Sequence, residues 1–548
     1  MKQLHRIGIA GVCIILGGWC ALEALAGDDT TDLSPAKPAA ARRAAANDAK
    51  SLAESIDRLL ASRWAAAKVQ SAPPADDAEY LRRVCLDLVG KIPTAAEARD
   101  FLDDSSPDKR SRLVAEQLES PAYLTHATEV YRSLLLPEAE TDFEVRALTP
   151  TFDAWLRKKI AEDAGYDQIV REVLTVRLGS QGRRAGVVQD PRAEPSPLAY
   201  YVAKDAKPEN LAAGTARTFL GIRLECAQCH NHPMDHWKRE QFWGLAAFFA
   251  GVSRQGKDQA HGAIRELADR RELAIPETTQ IVKAAFLDTK QPQWGRRTGG
   301  RELLASWVIG PDNPYFARAA VNRVWARFFG TGIIDPVDDL RDDNPPSHPE
   351  LLDLLAREFR LRGYDLKFLI RSITATKAYA LTSAVGRSES APPNLFAAMP
   401  VRTLSPGQFF EALAQATGFR EGSGAGFVYA ETSKDRFIEL FTNRDEKPTE
   451  GETTILQALA LMNGPLMASV TNMETSDTLA ALAEAPYLDT RGRIETLYLS
   501  ALTRRPRPDE LERQVPYVDR GGPTGDHSKA LGDVFWALLN SPEFRFNH

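Results

Sequence analysis

Residues 51–64 read SLAESIDRLLASRW, and this stretch decides the fold class. Its large apolar residues recur every three or four positions, which is the spacing of one face of an α-helix: Leu52, Ile56, Leu59, Leu60 and Trp64. The same spacing returns in later segments, as at residues 350–361 and 531–539. The sequence therefore predicts a mainly α fold.

The helical periodicity lapses in one region, between Gly251 and Gln293, where short apolar clusters alternate with charged residues. A chain of 548 residues is long enough for two domains. We therefore predict two helical domains, residues 51–250 and residues 296–548. They are joined by a less regular linker or small insert, residues 251–295, that could hold short strands.

The N-terminal residues have the three-part pattern of a secretory signal peptide. Lys2 and Arg6 precede an apolar stretch over residues 7–22, and a small-residue site follows at residues 24–26. We predict that residues 1–26 are removed and that the protein is exported, to the periplasm or outside the cell. Residues 27–50, rich in alanine, are predicted to be a disordered tether.

Composition excludes some classes of partner. The chain is 43% hydrophobic and 26% charged, with a net charge of −6 and no basic stripe, which argues against nucleic acid. No apolar run after the signal is long enough for a membrane helix, so we expect no membrane span after cleavage. Three cysteines lie beyond the signal, Cys85, Cys226 and Cys229, too few for a disulfide-dense scaffold.

The most specific motif is CAQCH at residues 226–230. At this C-x-x-C-H spacing, Cys226 and Cys229 can bond to a haem and His230 can ligate its iron, which predicts c-type haem. Two alternatives stay open. Both thiolates could bind Zn²⁺ with imidazoles of His230, His232 or His236, or the two cysteines could form a plain disulfide. His232 is so close to His230 that sharing one ion demands a strained loop, so His236 is the better zinc candidate.

A second set of candidate ligands is an acidic loop, residues 335–343. Its carboxylates are Asp335, Asp338, Asp339, Asp342 and Asp343. Such an oxygen-rich cluster suits Ca²⁺, and carboxylates beside Arg341 could perform acid–base chemistry on a polysaccharide. Turns and helix caps use the same residue types, so we expect a structural role first, through pairs with Arg323 or Arg327.

No catalytic residue is identified from the sequence, which contains neither an H-E-x-x-H motif nor a G-x-S-x-G motif. Whether the protein is an enzyme is therefore left open. A redox role, a metal-dependent role on polysaccharide and a structural role in the envelope all remain compatible with the residues.

Several longer motifs resemble one pair of families. CAQCHNHP (residues 226–233) and RVCLDLVGKIP (residues 83–93) resemble the planctomycete secreted cytochrome-associated domain. NPYFAR (residues 313–318), VNRVW (residues 321–325) and DPVDDLRDDNPP (residues 335–346) resemble its usual companion, a planctomycete secreted domain of unknown function. Together the two resemblances cover nearly all of the chain beyond the signal.

The resemblance implies a secreted protein with a CxxCH metal or c-type haem site, in a redox or envelope role. A redox partner or other envelope proteins would be its partners. Many relatives also carry a separate cytochrome c-like domain near the N-terminus, but residues 30–49 are too short for one and contain no cysteine. The alternatives are a non-haem metal-dependent enzyme or binding module acting on polysaccharide, and a structural envelope protein.

Overall fold

Helices dominate the computed structural model of the protein, which confirms the predicted mainly α fold. The structure describes the chain in eight stretches: residues 39–179, 194–255, 263–267, 269–295, 298–384, 391–420, 433–442 and 454–548. The predicted signal peptide lies outside the described residues. Among the helices that are described, none combines the length and the apolar character that crossing a membrane requires.

The first part of the chain forms a run of packed helices. They are α1 (Ala39–Ala67), α2 (Asp77–Val89), α3 (Ala95–Asp103), α4 (Lys109–Leu118), α5 (Pro121–Leu135), α6 (Phe143–Ala161), α7 (Tyr166–Thr175) and α8 (Ala199–Ala203). Since α1 begins at Ala39, residues 39–50 are helical where the sequence predicted a disordered tether. That part of the prediction was wrong because alanine, which dominates the segment, has the highest helix propensity.

The middle of the chain carries mostly short elements. They are α9 (Pro208–Thr215), a π-helical turn (Ala216–Leu220), a 3-10 turn (Glu225–Gln228) and α10 (Arg239–Ala246). Two antiparallel hairpins follow: β1 (Val252–Gln255) pairs with β2 (Ala263–Glu266), and β3 (Glu272–Ala274) pairs with β4 (Ile281–Lys283). These hairpins confirm the short strands expected between residues 251 and 295.

The remaining chain is again helical. It comprises α11 (Gly300–Val308), α12 (Phe316–Phe329), α13 (Pro349–Leu361), α14 (Leu366–Thr374), α15 (Pro406–Thr417), α16 (Ser433–Phe441), α17 (Ile455–Asn463), α18 (Pro465–Val470), α19 (Asp477–Glu484), α20 (Thr490–Leu502), α21 (Pro508–Asp519), α22 (His527–Leu539) and α23 (Pro542–Arg545). One further strand pair, β5 (Arg402–Thr403) with β6 (Phe546–Asn547), joins the segment just before α15 to the last residues of the chain.

Two clusters of buried apolar side chains hold these helices together. The larger one draws nearly all its members from residues 49–399 and includes Val252 and Ile275 between the helical parts. The smaller one comes mainly from residues 409–544. The apolar core thus continues through residues 251–295. The boundaries predicted for the two domains, residues 51–250 and 296–548, remain a prediction.

Helix α2 lies between the two clusters, which explains why all nine of its residues from Tyr80 to Leu88 are buried. Val84 and Leu88 belong to the larger cluster, whereas Leu86 belongs to the smaller one. A helix that is enclosed on all sides needs partners for its polar residues as well. Cys85, also on this helix, is buried as expected, and burial raises the pKa of its thiol well above the usual range.

The polar residues of α2 find those partners in distant parts of the chain. Asp87 accepts hydrogen bonds from Arg402 Nη2 (2.9 and 3.0 Å), Tyr379 Oη (2.8 Å) and Asn547 Nδ2 (2.8 Å). We call these four residues the Asp87 cluster. Arg82 donates to the carbonyls of residues 501 and 544, at 3.0 and 2.7 Å. The motif at residues 83–93 therefore connects the helices to the C-terminal strand.

Candidate functional site

The CAQCH motif begins on a 3-10 turn, Glu225–Gln228, and Cys229 and His230 follow directly after that turn. Leu224 and Ala227 are buried and fix the turn to the core. Cys226, Cys229 and His230 are exposed, and both cysteines are free thiols. The fold therefore presents both cysteines and His230 on one short accessible segment.

The imidazole of His230 is held by the residue that follows it. Its Nδ1 lies 2.7 Å from the carbonyl oxygen of Asn231, so the neutral ring carries its proton on Nδ1. Nε2 is then the nitrogen with a lone pair for a metal, and a carbonyl on the other nitrogen is the usual support of a ligating histidine. The Oδ1 of Asn231 accepts from the backbone N–H of Arg239 at 3.0 Å, which fixes Asn231 at the start of α10.

Helix α10 holds the turn through hydrogen bonds to one of its carbonyl oxygens. The carbonyl oxygen of Gln228 accepts from Trp243 Nε1 at 3.0 Å and from Arg239 Nε at 3.2 Å. Trp243 is almost fully buried, so the first bond connects the turn directly to the core. These contacts fix the middle of the motif while the cysteines remain accessible.

The other two histidines of this region have different local partners. We call residues 225–237 the CxxCH loop; His232 donates its backbone N–H to the Trp237 carbonyl at 2.8 Å, which closes it. His232 Nδ1 accepts from the Met234 N–H at 3.2 Å, and His236 Nδ1 lies 2.7 Å from Asp235 Oδ1. Within the part of the chain that the structure describes, no three His, Cys, Asp or Glu side chains converge to hold a metal ion.

The acidic loop packs against the chain just before the CxxCH loop. The N–H of Leu340 donates to the carbonyl of Gly221 at 2.8 Å. Gly221 adopts φ +68°, and a Cβ there would lie 2.8 Å from Leu340 Cδ1. Only glycine suits both this backbone conformation and this close approach. The acidic loop therefore lies against the residues that lead into the CxxCH loop.

Asp338 is the main polar link between the acidic loop and the residues that precede the CxxCH loop. Its carboxylate, 9% exposed, accepts from Arg217 Nε at 2.6 Å and from Arg223 Nε and Nη2 at 3.0 and 2.7 Å. Burial alone would raise the pKa of Asp338, but the hydrogen bonds from Arg223 and Arg217 outweigh it and hold the pKa below its usual range. Asp338 is therefore an ionised partner of two arginines.

The other carboxylates of the acidic loop have mixed environments. Asp339 Oδ2 lies 3.2 Å from Arg341 Nε, and Arg341 Nη1 donates to the Met234 carbonyl of the CxxCH loop at 3.4 Å. Asp342 and Asp343 are exposed, whereas Asp335 is half-buried. A calcium ion at Asp338 would have to displace two guanidinium groups, so its present contacts are those of a structural carboxylate.

The predicted arginine partners of the acidic loop were wrong. Arg323 donates instead to the carbonyls of Thr218 and Arg217, and Arg327 donates to the carbonyl of Asp87 at 2.7 Å. Both guanidinium groups lie on α12 and satisfy backbone carbonyls of neighbouring helices. Arg323 thereby fixes the π-helical turn that precedes the motif.

Sequence reasoning missed Arg217 and Arg223 as parts of this site. They lie 121 and 115 positions from Asp338 along the chain, so no local spacing reveals the contact. It also missed Tyr315, whose ring centroid is 6.3 Å from that of Trp237. Burial, followed by the charges of Asp342 and Asp235, raises the pKa of Tyr315. The sequence offered one signal for Arg217 and Arg223, which is that they lie on either side of Gly221, directly before the motif.

Comparison with known families finds a match for each of the two chain segments that carry the CxxCH loop and the acidic loop. Residues 55–254 match PSCyt2, a protein of unknown function (DUF1549), and residues 300–427 match PSD1, a protein of unknown function (DUF1553). Neither the curated proteins nor the solved structures contain a match. The chain therefore belongs to the family pair that its motifs predicted, with the CxxCH loop in the first matched segment and the acidic loop in the second.

Proposed function

We propose that Cys226, Cys229 and His230 bind a c-type haem and that the protein is an exported redox protein. The observation that carries this proposal is the geometry of the motif. Two free thiols are exposed, one on a 3-10 turn and one directly after it, beside an imidazole whose Nδ1 is bonded to the Asn231 carbonyl. These are the groups that covalent haem attachment requires, with the ligating nitrogen left free.

Each residue has a distinct role in this proposal. Cys226 and Cys229 would hold the haem through their two sulfur atoms. His230 would ligate the iron through Nε2, while the Asn231 carbonyl holds the orientation of the ring. When bound, haem supplies one-electron redox chemistry. The protein contributes a turn fixed by Ala227 and by the bonds to Gln228.

The same geometry gives less support to zinc. His232 Nδ1 already accepts a hydrogen bond, so its neutral ring carries the proton on Nε2, whereas His236 Nδ1 is directed to Asp235 and leaves Nε2 free. Binding one ion with both thiolates would therefore require the loop to rearrange, since no set of three ligands is assembled among the described residues. Haem attachment uses Cys226, Cys229 and His230, all of which are exposed.

Export and a redox partner belong to the same proposal. The pattern of residues 1–26 is that of a signal peptide, and haem is attached to CxxCH motifs in exported proteins. Because the motif is exposed, an external electron donor or acceptor could approach it directly. The partner would be another redox protein of the cell envelope.

The proposal is tested by a pyridine haemochrome spectrum of protein exported together with a cytochrome maturation system. The parent should show covalent haem, and C226A or C229A should weaken or abolish the covalent signal. H230A should keep the covalent signal but alter the absorption spectrum, because attachment and ligation use different atoms. Asp353→Asn, an exposed substitution on α13, serves as the control.

A colourless parent protein from that system contradicts the haem proposal. Elemental analysis of the same sample then decides between the alternatives. Stoichiometric zinc that is lost in C226A would support a zinc site, and an absence of metal with a Cys226–Cys229 crosslink would support a structural disulfide.

A further inference from the structure

A cleft with a volume of about 370 Å³ lies between α3, α19 and α20. Sites for small ligands have volumes of about 300–1,000 Å³, so this cleft is large enough for one. We call it the Tyr487 cleft, after the tyrosine in its lining. None of the lining residues belongs to the CxxCH loop or to the acidic loop, so the Tyr487 cleft is separate from the haem site proposed above.

The lining of the Tyr487 cleft combines buried apolar residues with a position that has no side chain. Leu482 and Ala485 are 5% and 7% exposed. Gly492, on α20, also lines the cleft, and a Cβ there would lie 3.2 Å from Leu488 Cδ2. A larger residue at position 492 would therefore narrow the cleft, which glycine leaves open.

Tyr487 adds an aromatic ring to this lining. It follows Pro486 in the short connection between α19 and α20, and it is 83% exposed. No other large apolar side chain that the structure describes is exposed to that extent. Tyrosine rings contribute much of the free energy of binding where they pack against a ligand or a partner. A ring left in solvent beside a cleft is therefore positioned to pack against a ligand in that cleft.

Three polar side chains complete the lining, and each is held in place by a neighbour. Arg99 Nη2 donates to Thr496 Oγ1 at 3.2 Å, and Thr496 Oγ1 donates to the Gly492 carbonyl at 2.9 Å. Glu495 Oε1 lies 3.1 Å from Arg505 Nε. A guanidinium has five N–H donors and a carboxylate has about four acceptor positions, so Arg99 and Glu495 can also bond to a ligand. The charged residues of the lining are these two, one of each sign.

We infer that the Tyr487 cleft binds a neutral saccharide. A sugar ring has a face of C–H groups, which packs on the electron-rich face of an aromatic ring such as that of Tyr487. Its hydroxyl groups donate and accept hydrogen bonds, for which Arg99, Glu495 and Thr496 are suited. A wholly apolar ligand would bury these polar groups without partners, at a cost in free energy. A strongly charged ligand would gain little, because the two charges of the lining offset each other.

A glycan array tests this binding with the full-length protein. The array carries neutral oligosaccharides of glucose, galactose, mannose, xylose and N-acetylglucosamine, together with uronic and sulfated oligosaccharides. Isothermal titration calorimetry then measures the affinity of the parent and of each variant for the saccharide that the parent binds best. The variants are Tyr487→Ala and Glu495→Gln. The matched control is Phe143→Ala, which removes an aromatic ring that is 69% exposed on α6, away from the cleft.

We expect the parent to bind a neutral saccharide. Tyr487→Ala should weaken that binding about tenfold, because it removes the aromatic face on which the sugar packs. Glu495→Gln should weaken it about threefold, because a neutral amide forms weaker hydrogen bonds than a carboxylate. Phe143→Ala should bind the saccharide as the parent does.

The inference is overturned if the parent binds no saccharide on the array, or binds only the uronic or sulfated ones. It is also overturned if Tyr487→Ala binds as tightly as the parent, or if Phe143→Ala loses as much affinity as Tyr487→Ala. Far-UV circular dichroism checks that each variant is folded. If Tyr487→Ala does not fold, Glu495→Gln decides, and an affinity equal to that of the parent overturns the inference.

Discussion

The Asp87 cluster and the CxxCH loop both join residues far apart in the chain, but they differ in what they do with their polar groups. In the Asp87 cluster the carboxylate is 4% exposed and receives hydrogen bonds from three side chains. In the CxxCH loop two free thiols and an imidazole are exposed. In the Asp87 cluster the polar groups bond to one another and stabilise the fold. In the CxxCH loop they remain accessible to a ligand.

This difference teaches how to separate structural motifs from functional ones in a family of unknown function. The motif at residues 83–93 is as distinctive as the motif at residues 226–233, yet its Arg83 and Asp87 are enclosed and paired. Reactive side chains that are exposed on a rigid support are the better candidates for binding. Asp338 is buried and paired like Asp87, but its partners Arg217 and Arg223 lie directly before the exposed motif.

The largest effect should come from Asp87. Asp87→Ala leaves Arg402 as a buried charge without its carboxylate, and breaking such a pair typically costs about 3–5 kcal/mol. Equilibrium unfolding in urea, followed by far-UV circular dichroism, should show a loss of that size or a failure to fold. A loss below about 1 kcal/mol would mean that the Asp87 cluster does not hold the fold.

The matched control is the exposed pair of Arg318 with Asp353. Their side chains are 44% and 57% exposed, so solvent screens most of their attraction. Asp353→Ala should therefore change the free energy of unfolding by about 1 kcal/mol or less. A similar loss in both variants would show that burial is not what distinguishes the Asp87 cluster.

The buried region should also have a pH signature, through His126. Burial, with a contribution from the charge of Arg327, lowers the pKa of His126 to about 3. The unfolded chain takes up this proton below about pH 6.5, so the contribution of His126 is fully present above that pH and is lost as the pH falls toward about 3. The loss amounts to about 1.4 kcal/mol per pH unit.

Urea unfolding at pH 7, 6, 5 and 4 tests this expectation. In His126→Leu, the fall in unfolding free energy between pH 6 and pH 4 should be shallower than in the parent by about 1.4 kcal/mol per pH unit. His527, which is exposed, provides the control, and His527→Leu should keep the parent's slope. An identical slope in His126→Leu and the parent would contradict the buried, neutral state of His126.

The smallest effect should come from the exposed motif itself. Cys226→Ser and His230→Asn change side chains that contribute little buried area, so each should alter the unfolding free energy of the haem-free protein by about 0.5 kcal/mol or less. Thermal unfolding at pH 7 measures this directly. A loss of 2 kcal/mol in either variant would place the motif with the structural residues and remove the contrast with the Asp87 cluster.

Local signals in the sequence were sufficient to predict the fold class and the position of the motif. Periodicity at residues 51–64 predicted the helix that became part of α1, and the lapse after Gly251 predicted the short strands. The start of α1 was missed because an alanine-rich segment has few large apolar residues to show a period. The C-x-x-C-H spacing is local, so it was visible without a structure.

The surroundings of the motif could not be predicted in the same way. The bonds of Arg217 and Arg223 to Asp338 join residues more than a hundred positions apart, and the charge pattern alone offered Arg323 and Arg327 as equally good partners. Which arginine reaches which carboxylate depends on the packing of α12 and the acidic loop. That packing is a property of the folded chain rather than of any segment.

The most direct test of the central claim is the mass of one peptide. Trypsin cleavage after Arg223 and Lys238 releases residues 224–238, which contain both thiols and His230. From protein exported with a cytochrome maturation system, this peptide should carry one haem bound through Cys226 and Cys229. If the peptide instead appears unmodified, or only as an internal disulfide, the exposed motif is not a haem site and the account is contradicted.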